Sequence, residues 1–255
     1  MIADRHVHTG FSEDSSEDPK RSIERAVSLG MKDLYITDHY DMDFPDGLFM
    51  FDPNEYFKVM SELKEAYKDQ IQLHIGVELG LKTGIASKLK KFLGDWPFEF
   101  AIGSIHLIDD KDPYERELFD MDDDHFYRRY FDATLEALRA CREVPIDTFG
   151  HLDYIVRYGY EKDKAYSYEK YSDIIDEILK EIISRNIALE VNTSGIRKGL
   201  GFAHPYPEVL KRYRQLGGKR LTIGSDAHTA EDIGSDFEET LACLKKLSFS
   251  DTNFI

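Results

Sequence analysis

The chain has 255 residues, 42% of them hydrophobic and 32% charged, enough apolar mass for a full core beneath a soluble surface. Acidic residues outnumber basic ones 49 to 33, and the net charge of −16 repels phosphate backbones and anionic membranes, so neither nucleic acid nor a membrane is expected as a partner. Two distant cysteines, Cys141 and Cys243, make no disulfide framework, and no signal peptide or membrane-length apolar run is evident, so a cytoplasmic location is expected.

A first strand is predicted near residues 2–8, followed by a helix that Asp18-Pro19 opens with a cap residue and a first-turn proline. "KDLYIT" predicts a second strand, and Asp52-Pro53 opens a helix with apolar positions 56, 59, 60, 63, 66 and 67 on one face. "IQLHIGVEL" is the third strand, a lysine-rich helix follows, and "FEFAIGSIH" is the fourth. A long helix over 124–141 leads to a fifth strand, "IDTFGH", and a helix near 168–184 carries an isoleucine-rich stripe. "IALEVN" is the sixth strand, Pro205–Leu216 a helix, "RLTIGS" the seventh strand and Phe237–Leu247 the last helix. Strands separated by single helices imply a parallel sheet with right-handed crossovers. Seven such units predict an α/β chain of one domain, 1–255, closed or nearly closed as a (β/α) barrel. An open doubly wound sheet is the competing architecture.

Ligands of parallel α/β folds bind at the carboxyl ends of the strands. The first strand ends in His6 and His8, whose spacing puts both on one face. The second ends in His39, the third in Glu78, the fourth in His106, the fifth in His151, and the seventh in Asp226 and His228. Only His74, His125 and His204 fall elsewhere, and His204 is expected to pack its loop. Any one of these histidines alone would read as a satisfied core residue, and a lone His-x-His is a weak signal. Six of seven strands delivering such groups to one mouth points to metal. Imidazoles and carboxylates without thiolates suit zinc, manganese or iron rather than a structural zinc cage.

The segments "HVHTGFSED", "YITDH", "GVELGL", "AIGSIH", "FGHLDY", "EVNTSGIRKG" and "GSDAHT" stand in an order that resembles the PHP superfamily, most closely its histidinol-phosphate phosphatase branch. The resemblance runs nearly end to end and implies a distorted (β/α)7 barrel with a cluster of three divalent metal ions. Carried over by position, it assigns one ion to His6, His8, Glu78 and Asp226. Glu78 bridges to a second ion held also by His106 and His151, and Asp14, His39 and His228 hold the third. Many relatives have histidine where this chain has Asp14, and Glu13, Glu17 and Asp18 lie close enough to compete for that role. The residues themselves agree with the allocation: the first and last strands are neighbours if the barrel closes, and a carboxylate can bridge two cations where a neutral imidazole binds one.

Clustered divalent ions lower the pKa of bound water. The reaction implied is in-line hydrolysis of a phosphate monoester without a covalent phospho-enzyme, with Asp226, Glu78 and His228 in catalytic parts. Arg197, after the sixth strand, and Arg157, six residues past His151, offer planar forks for phosphate oxygens. Glu115, in the acidic loop "LIDDKDPYERELFD", is the expected partner for the ammonium of L-histidinol phosphate, a small phosphorylated metabolite. Competing readings are a phosphoesterase for nucleotides or another small phosphorylated metabolite and a non-catalytic metal-binding module. An amidohydrolase would want a strand-end lysine, and the sequence offers none. Oligomeric state is not readable from the sequence.

Overall fold

The computed structural model describes residues 3–45 and 47–255. α1 (Pro19–Ser28) starts where Asp18 accepts from the Lys20 N–H, and α2 (Pro53–Tyr67) where Asp52 accepts from that of Asn54. The predicted second strand is broken at Thr37-Asp38 into β1 (Asp33–Ile36) and β2 (His39–Tyr40), both parallel to the long β3 (Gln72–Gly80). α3 (Ala86–Asp95), β4 (Phe100–Ser104), α4 (Asp123–Ala140) and β5 (Thr148–Phe149) follow in chain order. Then come α5 (Ser172–Ser184), β6 (Ala188–Asn192), a single helical turn α6 (Ser194–Arg197), α7 (Pro207–Gln215), β7 (Leu221–Gly224) and α8 (Phe237–Lys246). The parallel sheet runs β1-β3-β4-β5-β6-β7.

Two boundaries differ from the sequence reading for identifiable reasons. α7 begins at Pro207 rather than Pro205: Tyr206 is its N-cap residue with ψ 141°, outside the helical range, and the Tyr206 N–H donates to Asp153 Oδ2 at 2.7 Å. α5 begins at Ser172, the residues before it, Glu169–Tyr171, forming a tighter 3₁₀ turn. α6 was not expected at all. Helices cover the outside of the sheet: α5 buries Ile174, Ile175, Ile178, Leu179 and Ile182, and α4 beside it buries Phe126, Tyr130, Phe131 and Leu138. Among the described residues no helix is long and apolar enough to cross a membrane.

The predicted first strand forms no continuous ladder, and its Ile2 lies outside the described residues. Its remainder is an extended segment laid between the two ends of the sheet, bridging Asp4 to Leu34 and Val7 to Ala227. Tyr35 and Thr37 donate to the carbonyls of Asp4 and Val7, while Arg5 donates to that of Ile223 and His8 to that of Ala227. This segment closes the ring into a distorted (β/α)7 barrel. The buried Asp4 side chain holds the closure: Oδ1 accepts from the Ser225 and His6 N–H groups, at 2.9 and 3.3 Å, and Oδ2 from that of Gly234 at 2.9 Å.

Asp4→Ala strands those three N–H groups, each costing about 1–3 kcal/mol when left unpaired in the interior. Loss of the exposed Asp52 cap costs about 1 kcal/mol. Urea unfolding should therefore show Asp4→Ala far more destabilised than Asp52→Ala. Equal losses would mean that the closure does not depend on Asp4.

Candidate metal centre and substrate cavity

His6 and His8 share one face of the closing segment, and both rings are fully buried inside the barrel mouth. His39 opens β2 directly opposite Glu78 of β3. His106 and His151 stand two residues past β4 and β5, and Asp226 and His228 follow β7. Asp226 takes a left-handed backbone, φ 55°, and its N–H donates to the His6 carbonyl at 2.8 Å. That conformation is uncommon outside glycine, and here it turns a carboxylate from the end of a strand into the mouth.

Glu78 is the hub. Its Oε2 lies 3.0 Å from His39 Nδ1, 3.2 Å from His6 Nε2 and 3.5 Å from His8 Nε2. Its Oε1 lies 3.0 Å from His151 Nε2 and 3.3 Å from His106 Nε2, and accepts from Ser104 Oγ at 2.6 Å. Asp226 Oδ1 faces His8, His228 and His6 at 3.4, 3.6 and 3.9 Å. Asp14 Oδ2 faces His228 Nε2 at 3.1 Å and His39 Nε2 at 3.7 Å. Of its acidic neighbours, Glu17 is committed to the Ala230 and Asp18 N–H groups, Asp18 caps α1, and Glu13 is exposed.

These residues fit divalent cations on the chemistry of their unpaired atoms. His6 Nε2, His8 Nε2, His39 Nδ1 and Glu78 Oε2 are buried with no hydrogen-bond partner among the described residues, a costly state unless something else is bound between them. Ligand atoms converge within 4.8 Å in four groups: His6, His8 and Asp226; His6, Glu78 and His151; His8, His39 and His228; His39, Asp41 and His106. Burial, then the nearby His39 and His228, pushes His8 down to about 3, so its imidazole is a neutral donor at pH 7. Burial opposes a charge on His39, but Glu78 and Asp14 outweigh it and raise the group to about 9. Burial likewise opposes ionisation of Glu78, yet His6, His106 and His39 hold it well below the usual carboxylate range. Protons and cations thus compete for the same nitrogens.

Sequence reasoning missed the groups behind the imidazoles. Glu190 Oε1 sits 2.6 Å from His6 Nδ1, Asp41 Oδ2 2.6 Å from His106 Nδ1, and Ser12 Oγ 3.0 Å from His8 Nδ1. Ser194 Oγ donates to Asp226 Oδ2 at 3.2 Å. A signal for Glu190 existed: it is the only charge in the apolar run "IALEVN".

A cavity of about 700 Å³ opens over the cluster. Arg157, Arg197 and Lys198 line one part of it, and Phe44, Phe49, Tyr114, Tyr154 and Tyr158 give it aromatic walls. Arg197 Nη2 donates to the Ser225 carbonyl at 2.6 Å, while its buried Nη1 has no hydrogen-bond partner among the described residues. Arg157 lies 5.0 Å from the Tyr154 ring centre and 4.8 Å from that of Tyr158, and donates to the Tyr158 hydroxyl. Glu115, the expected ammonium partner, is exposed and does not line the cavity, whereas Asp112, which accepts from the Tyr114 N–H, and Tyr114 itself do. His204 is fully buried against Asp153 at 2.6 Å, a packing residue as expected.

Residues 4–194 match the PHP domain family. The chain is 37% identical over 246 residues to a probable histidinol-phosphatase of Clostridium acetobutylicum, covering 94% of this chain and 92% of that one. It is 33% identical over 256 residues to the histidinol-phosphatase of Lactococcus lactis, covering 96% and 91%. Its fold is similar to the crystal structure of the histidinol phosphate phosphatase of Lactococcus lactis complexed with zinc, L-histidinol and phosphate, with a TM-score of 0.87, 31% identity and coverage of 98% and 95%. By these likenesses and its own barrel, the chain belongs to the PHP domain family, in its histidinol-phosphatase branch.

Proposed function

We propose that this protein hydrolyses L-histidinol phosphate to L-histidinol and phosphate, a step of histidine biosynthesis, with three divalent cations. The observation that carries the reading is the convergence of unpaired buried nitrogens and a carboxylate oxygen beneath two arginines in one cavity. His6, His8, Glu78 and Asp226 would hold the first cation, Glu78, His106 and His151 the second, and Asp14, His39 and His228 the third, each being zinc, manganese or iron. Bound there, such ions make water a nucleophile near neutral pH and neutralise charge on phosphate. The likeness to relatives that carry this activity in their names supports the substrate, and the zinc in the Lactococcus lactis structure supports divalent metal.

The chain's own residues supply the rest. Arg197 is braced by Ser225 and by Asp232 at 3.4 Å, so its free Nη1 is oriented before substrate arrives. Arg157, clamped against two tyrosine rings, grips the phosphate from the other side. The Oδ2 of Asp226 faces Ser194 rather than the imidazoles, which suits it to hold or pass the proton that the leaving alkoxide needs. Asp112 replaces Glu115 as the ammonium partner, half-buried and beside the aromatic walls. The walls suit the imidazole ring.

Metal analysis of protein purified without chelator should approach three equivalents, and His6→Ala or Asp226→Ala should abolish turnover. A fully active protein holding one ion would sink the three-cation scheme.

Removing Arg197 leaves a phosphate dianion partly buried without its partner, a loss of roughly 2–5 kcal/mol. Arg197→Ala should therefore lower kcat/KM on the order of 30- to 4,000-fold at ~1.4 kcal/mol per decade, and weaken inhibition by inorganic phosphate. An unchanged phosphate inhibition constant would place Arg197 outside the site.

Polar groups left unpaired in a site discriminate strongly between substrates. Histidinol phosphate should exceed glycerol phosphate in kcat/KM by about a hundredfold or more. Asp112→Ala should narrow that gap and Glu115→Ala should leave it intact. Equal rates on the two substrates would keep a metal phosphatase but remove histidinol phosphate as its substrate.

A further inference from the structure

β6 is the strand whose end contributes nothing to the proposed cation ligands, yet its middle residue, Glu190, reaches the centre of the site. We infer that Glu190 is a positioning residue that fixes the ring of His6 with Nε2 available to a cation; the inference rests on the metal-cluster reading. Glu190 is 1% exposed. Its Oε1 lies 2.6 Å from His6 Nδ1, and its Oε2 accepts from the His151 N–H at 2.7 Å and from Asn192 Nδ2 at 3.1 Å. A carboxylate only accepts hydrogen bonds, so the proton of that contact resides on His6 Nδ1. In the neutral ring, the form that binds a cation, the lone pair is then on Nε2, which has no hydrogen-bond partner among the described residues and points at Glu78 Oε2, 3.2 Å away. The same carboxylate fixes the backbone at His151, so one side chain sets two of the imidazoles around Glu78.

The neighbouring strand β7 makes room for it. A Cβ at Gly224 would lie 2.6 Å from Glu190 Oε1 and 2.4 Å from His6 Cβ. Gly224 has no positive φ, so what it supplies is space. His8, by contrast, is backed by a neutral group, the Ser12 hydroxyl at 3.0 Å. A carboxylate behind a ligating imidazole fixes its tautomer and raises its basicity, and loss of such a group weakens metal binding about 10- to 100-fold.

The test is zinc affinity, measured by chelator competition on the wild type and on Glu190→Gln. Glutamine keeps the size but has one oxygen and one amide, so it must point donors at either His6 Nδ1 or the His151 N–H. One zinc should bind about 10- to 100-fold more weakly to Glu190→Gln than to the wild type. Long-range ¹H–¹⁵N spectra of zinc-loaded wild type should show His6 protonated on Nδ1 and ligated through Nε2, a readout that needs no variant and decides the matter if Glu190→Gln does not fold. Wild-type affinity in the variant, or zinc on Nδ1 of His6, would overturn the role of Glu190 while leaving the cluster in place. A wild-type protein that binds no zinc, manganese or iron would overturn the cluster and this role together.

Discussion

Glu78 enters the barrel mouth from β3 with no exposed surface, and five imidazole rings stand within ion-pair distance of its two oxygens. A carboxylate so far from water is tolerated only where charge and hydrogen bonds compensate it. The compensating groups come from the closing segment, β2, and the ends of β4 and β5, so placing this one charge obliges a large part of the ring to be in register. The division of its oxygens follows from that geometry. Oε2 faces the side of the mouth where the chain begins, and Oε1 faces the middle of the sheet.

Closure of the ring is the second half of that constraint. The segment carrying His6 and His8 has no ladder of its own and borrows one from both sheet ends, so the imidazoles are positioned only when β1 and β7 are already present. Asp4 ties the same segment to Ser225 and Gly234. Two residues beyond Gly224, the left-handed turn at Asp226 brings a carboxylate back over the rings. Groups at the floor of the site are thus fixed by strands, whereas Asp112, Tyr114 and Phe49 at its rim come from loops. The proposed cation ligands thus lie mostly on or beside rigid strands, and the residues proposed to meet the substrate's organic part lie on the connections.

The order of the strands and the proposed cation ligands other than Asp14 were legible at the strands' carboxyl ends, where polar residues interrupt apolar runs; Asp14 follows from the family resemblance alone. His39, Glu78, His106 and Asp226 stand out for that reason. Less legible were features that depend on where other chain segments fall. The first strand reads as regular from its alternation, but Asp4 takes backbone hydrogen bonds that a neighbouring strand would otherwise make. Glu115 and Asp112 are indistinguishable as letters in an acidic loop; the contact of Asp112 with the Tyr114 N–H decides which of them the cavity sees. Glu190 is not legible as a site residue because it lies in the middle of its strand rather than at the end, and it reaches His6 through space that Gly224 leaves on β7.

The charges at the mouth make cation binding and phosphate binding one linked process. Asp14, Glu78, Asp226 and Asp41 stand beneath or beside the position a phosphate would occupy, against Arg157, Arg197 and Lys198. With the carboxylates uncompensated, a dianion meets repulsion from the floor that the two arginines and the lysine must overcome. Divalent cations among the imidazoles offset that charge, so each species raises the affinity of the other, and thermodynamic linkage makes the two effects equal. The same offset lets a chain of net charge −16 receive a small anion. Its overall field opposes approach, but exposed charges farther away than about a Debye length, ~8 Å at physiological salt, are largely screened. What a small phosphate ester meets at the mouth is then set by the few charged groups lining this cavity, and a polyanion too large to enter meets the acidic surface instead.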